Sequence, residues 1–360
     1  MWGVKKLACR AILLLPFLLK PSLQASLTTG FQVVTQGPGA CSPADIQVLE
    51  GFYTDAVALV RAGLNLYDLY RTGSVDTFSQ GISFRNGLLF FGLNGNGAQN
   101  VPADDVRWSR VRSILVRTQR LLAGDNVLNV LNINYKPLLY CNGWWLQRIA
   151  DNSYKLVEGR PSATNPNAGQ FQTPYITVAA AYERFLYEGG VRNSKEVWWN
   201  TVSRKYHVQS PIDPTTLGMA WKSDGDADLT PRIALVGRTL TAYRGRLVTS
   251  RGSVVRGSGL NLYYTGAACL VHEIIHLTAQ DQDNDDLYGY GDITRANHVL
   301  LDRILERTAT NAQLQLFDRL QYTADAYAWY CLSAYLSSIS EVSLDFSTGS
   351  GLNAQDIANL

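Results

Sequence analysis

Residues 272–276 read His-Glu-Ile-Ile-His. Around them Ala267, Ala268, Leu270, Val271, Ile274, Ile275 and Leu277 are apolar, which predicts a buried helix. On a helix, residues four apart share a face, so His272 and His276 stand one turn apart on the same side. Two imidazoles at that spacing can grip one zinc ion. Glu273 stands beside them, where it can take a proton from an attacking water. The chain has only four histidines, His207, His272, His276 and His298, so the pattern is no by-product of histidine abundance. The competing reading is a pair of helix-face histidines near Glu273 with no metal.

Two histidines do not complete a zinc site, and the third ligand decides the class. After His276 the chain runs Leu-Thr-Ala-Gln-Asp-Gln-Asp-Asn-Asp-Asp-Leu-Tyr-Gly. The Gly and His that a metzincin needs at fixed offsets are missing. Glu306, from a later helix, is one source of a ligand. The loop acids Asp281, Asp283, Asp285 and Asp286 are others. Asp281, Asp283 and Asp285 also fall at positions one, three and five of a calcium loop, with Asp292 at twelve. Against that reading, Asp286 stands where the loop needs Gly, and Asp292 where it needs a bidentate Glu. A solvated acidic stretch is the simpler reading of Asp281 and Asp283.

The HExxH pattern is followed by eight further residues and then by Asp285-Asp286-Leu287-Tyr288-Gly289. This arrangement resembles the aspzincin metallopeptidases, which include deuterolysin and the fungal lysine-specific endopeptidases. The resemblance implies Asp285 as third zinc ligand. It implies Tyr288 as the hydrogen-bond donor to the oxyanion of the tetrahedral intermediate. Cys41-Ser42-Pro43 before a long helix, and Tyr322-Thr323-Ala324-Asp325-Ala326-Tyr327, resemble further parts of that family. The likeness covers roughly residues 41–335. Gln282-Asp283 replaces the Gly-Thr usual before the ligand Asp, and Ala328 replaces the second acid of lysine-specific members. Asp325 is therefore expected either to bind a basic substrate side chain or to buttress the site. The resemblance also implies a disulfide from Cys41 to Cys141.

Lys5, Lys6 and Arg10, the apolar run Ala11–Leu19, and the small-residue ending Leu23-Gln24-Ala25 predict a secretory signal peptide over residues 1–25. That segment holds four cations (Lys5, Lys6, Arg10, Lys20) and no acid, so cleavage moves the formal charge from +2 to −2. Neither value suggests a nucleic-acid partner. The apolar run is short for a membrane span, so no stable membrane association is expected. Cys9 leaves with the signal. The remaining Cys41, Cys141, Cys269 and Cys331 are expected to form two disulfides in a secreted chain. The second, Cys269–Cys331, would tie the start of the metal helix to the helix after Asp325.

Residues 26–40 read as a lead-in or trimmed pro-segment, 41–340 as one catalytic domain, and 341–360 as a tail. Ser42 is the expected N-cap of a helix whose apolar residues Ile46, Leu49, Phe52, Ala56, Val60 and Leu64 recur at helical spacing to about Leu69. Leu88–Leu93 and Val127–Tyr135 read as strands, and 103–122 as a helix with a basic face. The Gly- and Pro-punctuated stretches 158–174 and 208–231 read as surface insertions. Ile176–Tyr187 reads as helix, and Arg232–Val236 and Leu240–Leu247 as strands. From Ala267 onward the chain reads as mainly helical, with a loop over 280–292. Trp144-Trp145 and Trp198-Trp199 read either as groove walls or as core.

The fold class expected is α+β and zincin-like, mainly helical, with a small mixed sheet beside the HExxH helix. Arg232–Leu247 is the candidate edge for pairing an extended peptide. The activity implied is a secreted, extracellular, monomeric endopeptidase with one zinc ion, acting on protein or peptide substrates and possessing an acidic site suited to basic residues. A catalytically inactive binding protein, or a zinc- or calcium-stabilised structural protein, are the alternatives. Glu273 argues against the binding protein, because a site that only binds needs no base there, while a closed fourth coordination position would favour the structural protein and an open one the enzyme.

Overall fold

A reciprocal cap starts the longest helix. The Ser42 hydroxyl accepts from the Asp45 amide at 3.2 Å, and the Asp45 carboxylate accepts from the Ser42 amide at 3.1 Å and from the Ser42 hydroxyl. Two otherwise orphaned amides are thereby satisfied. Pro43 follows at the first helical position, where its missing N–H costs nothing. The computed structural model describes residues 26–72, 77–91, 106–125, 136–143, 146–201, 204–209, 217–221, 231–235, 237–243, 254–279, 290–291, 293, 308, 310–311, 320–340, 344–346, 350–353 and 356.

Its elements begin with a short helix α1 (Leu27–Gly30) and strand β1 (Gln32–Val33). Three long helices follow: α2 (Pro43–Thr72), α3 (Thr77–Phe91) and α4 (Val106–Leu122). After β2 (Leu138–Tyr140) and β3 (Leu146–Arg148) come α5 (Val178–Ala181), α6 (Glu183–Leu186), β4 (Tyr187–Glu188), β5 (Val191–Arg192), β6 (Glu196–Asn200) and β7 (Lys205–Gln209). The chain continues with β8 (Gly218–Trp221), β9 (Arg232–Leu235), α7 (Gly237–Ala242), α8 (Gly266–Thr278) and α9 (Ala324–Ile339).

The main sheet has the order β1-β2-β9-β8. β1, β2 and β9 run parallel, and β8 pairs antiparallel to β9 at the edge. Helices α2, α4 and α9 surround α8, which also contacts β8 and β9. One continuous core joins them, with Phe52, Leu59, Leu235, Leu270, Ile274 and Tyr327 among its buried side chains. β3, β6 and β7 form a separate antiparallel sheet, over a small core of Val178, Leu186, Val197 and Tyr206. This is an α+β architecture. Among the described residues no helix is long and apolar enough to cross a membrane.

Several expectations need correction. The described part of Leu88–Leu93 is the end of α3, not a strand. A short apolar run does not distinguish a strand from a buried helix. Here Phe90 and Phe91 stack on Tyr330 and Tyr327 of α9, at ring-centroid distances of 6.2 and 4.6 Å respectively. Leu240–Ala242 is helical rather than extended, because Leu240 turns into the core as part of α7. Ile176–Tyr187 holds two one-turn helices, divided at Tyr182. The sheet edge beside α8 is β8, inside the expected insertion 208–231, and β9 is an interior strand with all four residues buried. Val127–Tyr135, Trp144-Trp145 and residues 1–25 lie outside the described residues.

Both ends of the described chain belong to the folded unit. Leu27 and Phe31 are buried in the main core, and β1 completes the sheet, so residues 26–34 are built into the domain. Leu344 and Phe346 are buried too, and the Asp345 carboxylate pairs with Arg85 of α3. The described part of the segment expected as a tail is therefore packed against the folded unit.

Cys41 and Cys141 form a disulfide across 100 residues, joining the loop after β1 to the end of β2. Cys269 and Cys331 do not pair and are buried free thiols. Their surroundings explain this. The Cys331 sulfur packs on α2, where a Cβ on Gly63 would lie 2.7 Å from it, whereas the Cys269 thiol lies beside Thr239 of α7.

Candidate metal centre

Helix α8 carries the site. Its first residue, Gly266, lets it approach α2 so closely that a Cβ there would meet the Phe52 ring. Its last turn is held by α4: the Thr118 and Thr278 hydroxyls lie 2.9 Å apart, and the Arg117 guanidinium donates to the Thr278 carbonyl at 3.4 Å. A cation at this end also suits the helix dipole. Every residue of α8 except His272 is buried. His272 is the point at which the helix meets solvent.

The i, i+4 spacing brings the two imidazoles together, with ring centroids 4.6 Å apart and ring planes at 80°. Their Nε2 atoms are 2.9 Å apart. Nδ1 of His272 lies 2.6 Å from the Asp325 carboxylate, at the start of α9. With a proton on Nδ1 the contact is a hydrogen bond to the carboxylate, and the Nε2 lone pair then faces the site. Glu273 Oε1 lies 4.0 Å from His272 Nε2. The Glu273 side chain is buried on the β8 side of the helix, where Gly218 meets it.

The surroundings favour a cation. Burial pushes the Cys269 thiol well above its usual range, and the Glu273 and Asp325 carboxylates push it further, against a small opposing effect of the Thr239 hydrogen bond. Burial likewise raises the Tyr264 phenol, with Cys269, Asp325, Tyr243 and Glu273 adding to the rise. Both groups stay neutral, burial being the main cause in each. An ion of opposite sign offsets the desolvation of those two carboxylates.

The donor set fits a divalent metal. His272, Glu273 and His276 each offer an atom within 4.8 Å of the others, and this group can hold a metal ion. Two neutral imidazoles suit zinc and its borderline neighbours better than calcium or magnesium, which prefer oxygen. Asp325, hydrogen-bonded to His272, supplies the outer-sphere support such sites use.

Sequence-predicted residues therefore meet different outcomes. His272, Glu273 and His276 converge. Asp325, expected as substrate-binding or as a buttress, is hydrogen-bonded to His272, which is the buttress geometry. Asp285 and Tyr288 lie outside the described residues. Trp198 and Trp199 point to opposite faces of β6, Trp198 onto the Tyr140 cluster and Trp199 onto the Tyr206 cluster, so they form no common wall. No local sequence motif marks Gly218, Thr118 or Arg117. No protein-family model, curated protein or solved structure matches this chain.

Proposed function

We propose that this chain is a secreted metal-dependent endopeptidase, with zinc as the ion. The observation that carries this reading is the convergence of two imidazole Nε2 atoms to 2.9 Å, with Glu273 4.0 Å from one of them. An acid so placed is needed for hydrolysis and not for binding alone. The basic, then apolar, sequence of residues 1–25 and the Cys41–Cys141 disulfide support an oxidising compartment.

Zinc, when bound, supplies a Lewis acid for the scissile carbonyl. His272 and His276 would hold it through their imidazoles, with Asp285 as the third ligand implied by the aspzincin resemblance. Asp325 fixes the His272 tautomer and ring orientation. Glu273 takes the proton of the attacking water and later passes it to the leaving amine. Tyr288 donates to the developing oxyanion. The antiparallel edge strand β8 beside α8 supports a zincin-like reading of the fold, and an extended substrate would pair with its main chain. Asp325 is engaged with His272, so a preference for basic side chains forms no part of this proposal.

The test is casein hydrolysis in zinc-containing buffer by the parent and by Glu273→Gln, which keeps the shape of the side chain and loses its base. Cleavage by the parent alone is the expected result. Equal cleavage by both, or none by a zinc-loaded parent, would overturn it.

A further inference from the structure

β8 presents alternate residues to its two faces. Met219 packs into the cluster around Tyr140 and Leu146, and Ala220 packs against the main core. Gly218, on the same side as Ala220, meets the side chain of Glu273. A Cβ built on Gly218 would lie 2.5 Å from Glu273 Oε1 and 2.8 Å from both its Cδ and its Cγ. All three clashing atoms belong to the Glu273 side chain. Real Cβ atoms do not approach other atoms so closely, so this placement of the Glu273 side chain requires a glycine at position 218.

Glycine is not needed here for its backbone freedom. Gly218 is not among the glycines with positive φ, and it sits in register opposite Leu235 in an ordinary antiparallel pair. A glycine in a strand loses packing and conformational entropy without return, unless something must approach the backbone closely. The strand is also tied at this point. The Thr239 hydroxyl of α7 donates to the carbonyl of Leu217, the residue just before Gly218. Glu273 is itself anchored on a helix packed against α2, α4 and α9. Neither partner has an easy retreat.

We propose that Gly218 is the positioning residue of Glu273. Its missing side chain lets the backbone of the edge strand close over the carboxylate and hold it beside the histidine pair. The catalytic consequence rests on Glu273 acting as the base; the packing relationship does not.

A double-mutant cycle separates the two. Gly218→Ala is made in the full chain and in Glu273→Ala, which removes all three clashing atoms. In the parent, Gly218→Ala lowers Tm by about 3 °C or more, while in the Glu273→Ala background the same change shifts Tm by less than about 1 °C. Where the parent hydrolyses casein, Gly218→Ala lowers kcat more than about tenfold, with KM within about threefold and zinc stoichiometry unchanged. Failure of Gly218→Ala to fold except with Glu273→Ala is the same expected result in stronger form. An equal Tm loss in both backgrounds, failure to fold in both, or an unchanged kcat would overturn the proposal. An inactive parent would sink the peptidase reading, while the Tm cycle would still decide the role of Gly218.

Discussion

The Asp325 carboxylate lies 2.6 Å from Nδ1 of His272, a contact across 53 residues that joins the start of α9 to the middle of α8. Removing it frees the imidazole to rotate and to take its other tautomer. Asp325→Ala should weaken zinc binding by about 10- to 100-fold, measured by competition with a chromophoric chelator. Asp325→Asn keeps an acceptor oxygen and should lose less. Equal zinc affinity in parent and Asp325→Ala would show that the contact does not orient His272.

The two buried thiols should be countable. Denatured, unreduced protein lacking residues 1–25 should titrate two thiols, Cys269 and Cys331, with Cys41 and Cys141 joined. A peptide map containing a Cys269–Cys331 link would contradict this. Replacing Cys41 and Cys141 together by Ser should cost about 2–5 kcal/mol in denaturant unfolding, since the bridge closes a long loop.

Residues 26–34 should be indispensable to the folded domain. Phe31 is buried and lies edge-on to Tyr53, with ring centroids 6.1 Å apart. Phe31→Ala should cost about 3–5 kcal/mol. Limited proteolysis that removed residues 26–34 without lowering Tm would show the segment to be detachable.

Stability should fall in alkali for a definable reason. Burial pushes the Tyr53 phenol from 10.0 up to about 12, the Gly30 backbone contact opposes this, and Glu50 adds to the rise. The unfolded chain loses this proton near pH 10 and the folded chain near 12, so the folded state is the one that keeps the neutral form. The contribution is whole below pH 10 and is lost as pH rises through 12. Tyr53 also donates to the Leu122 carbonyl. Tyr53→Phe should lower stability at neutral pH and flatten the alkaline decline, read from urea melts between about pH 9 and pH 12. Tyr327 and Tyr330 are raised in the same direction by burial, so the decline should be reduced rather than abolished.

The sequence by itself determined what depends on spacing within one element. His272, Glu273 and His276 lie within a single helical turn, so their convergence follows from the 3.6-residue repeat once a helix forms. The start of α2 at Ser42-Pro43 is likewise a local matter of capping. Tertiary structure alone decided which distant residues meet. Short apolar runs such as Leu88–Phe91 became helix because α9 offered aromatic rings to pack against. Cys269 and Cys331 stayed apart because each is held by a different helix. The roof over Glu273 came from a stretch that reads as an insertion, because a glycine selected to make room for another side chain leaves no periodic signal. Spacing along the chain encodes local geometry, whereas contacts across many residues arise only when the whole core packs.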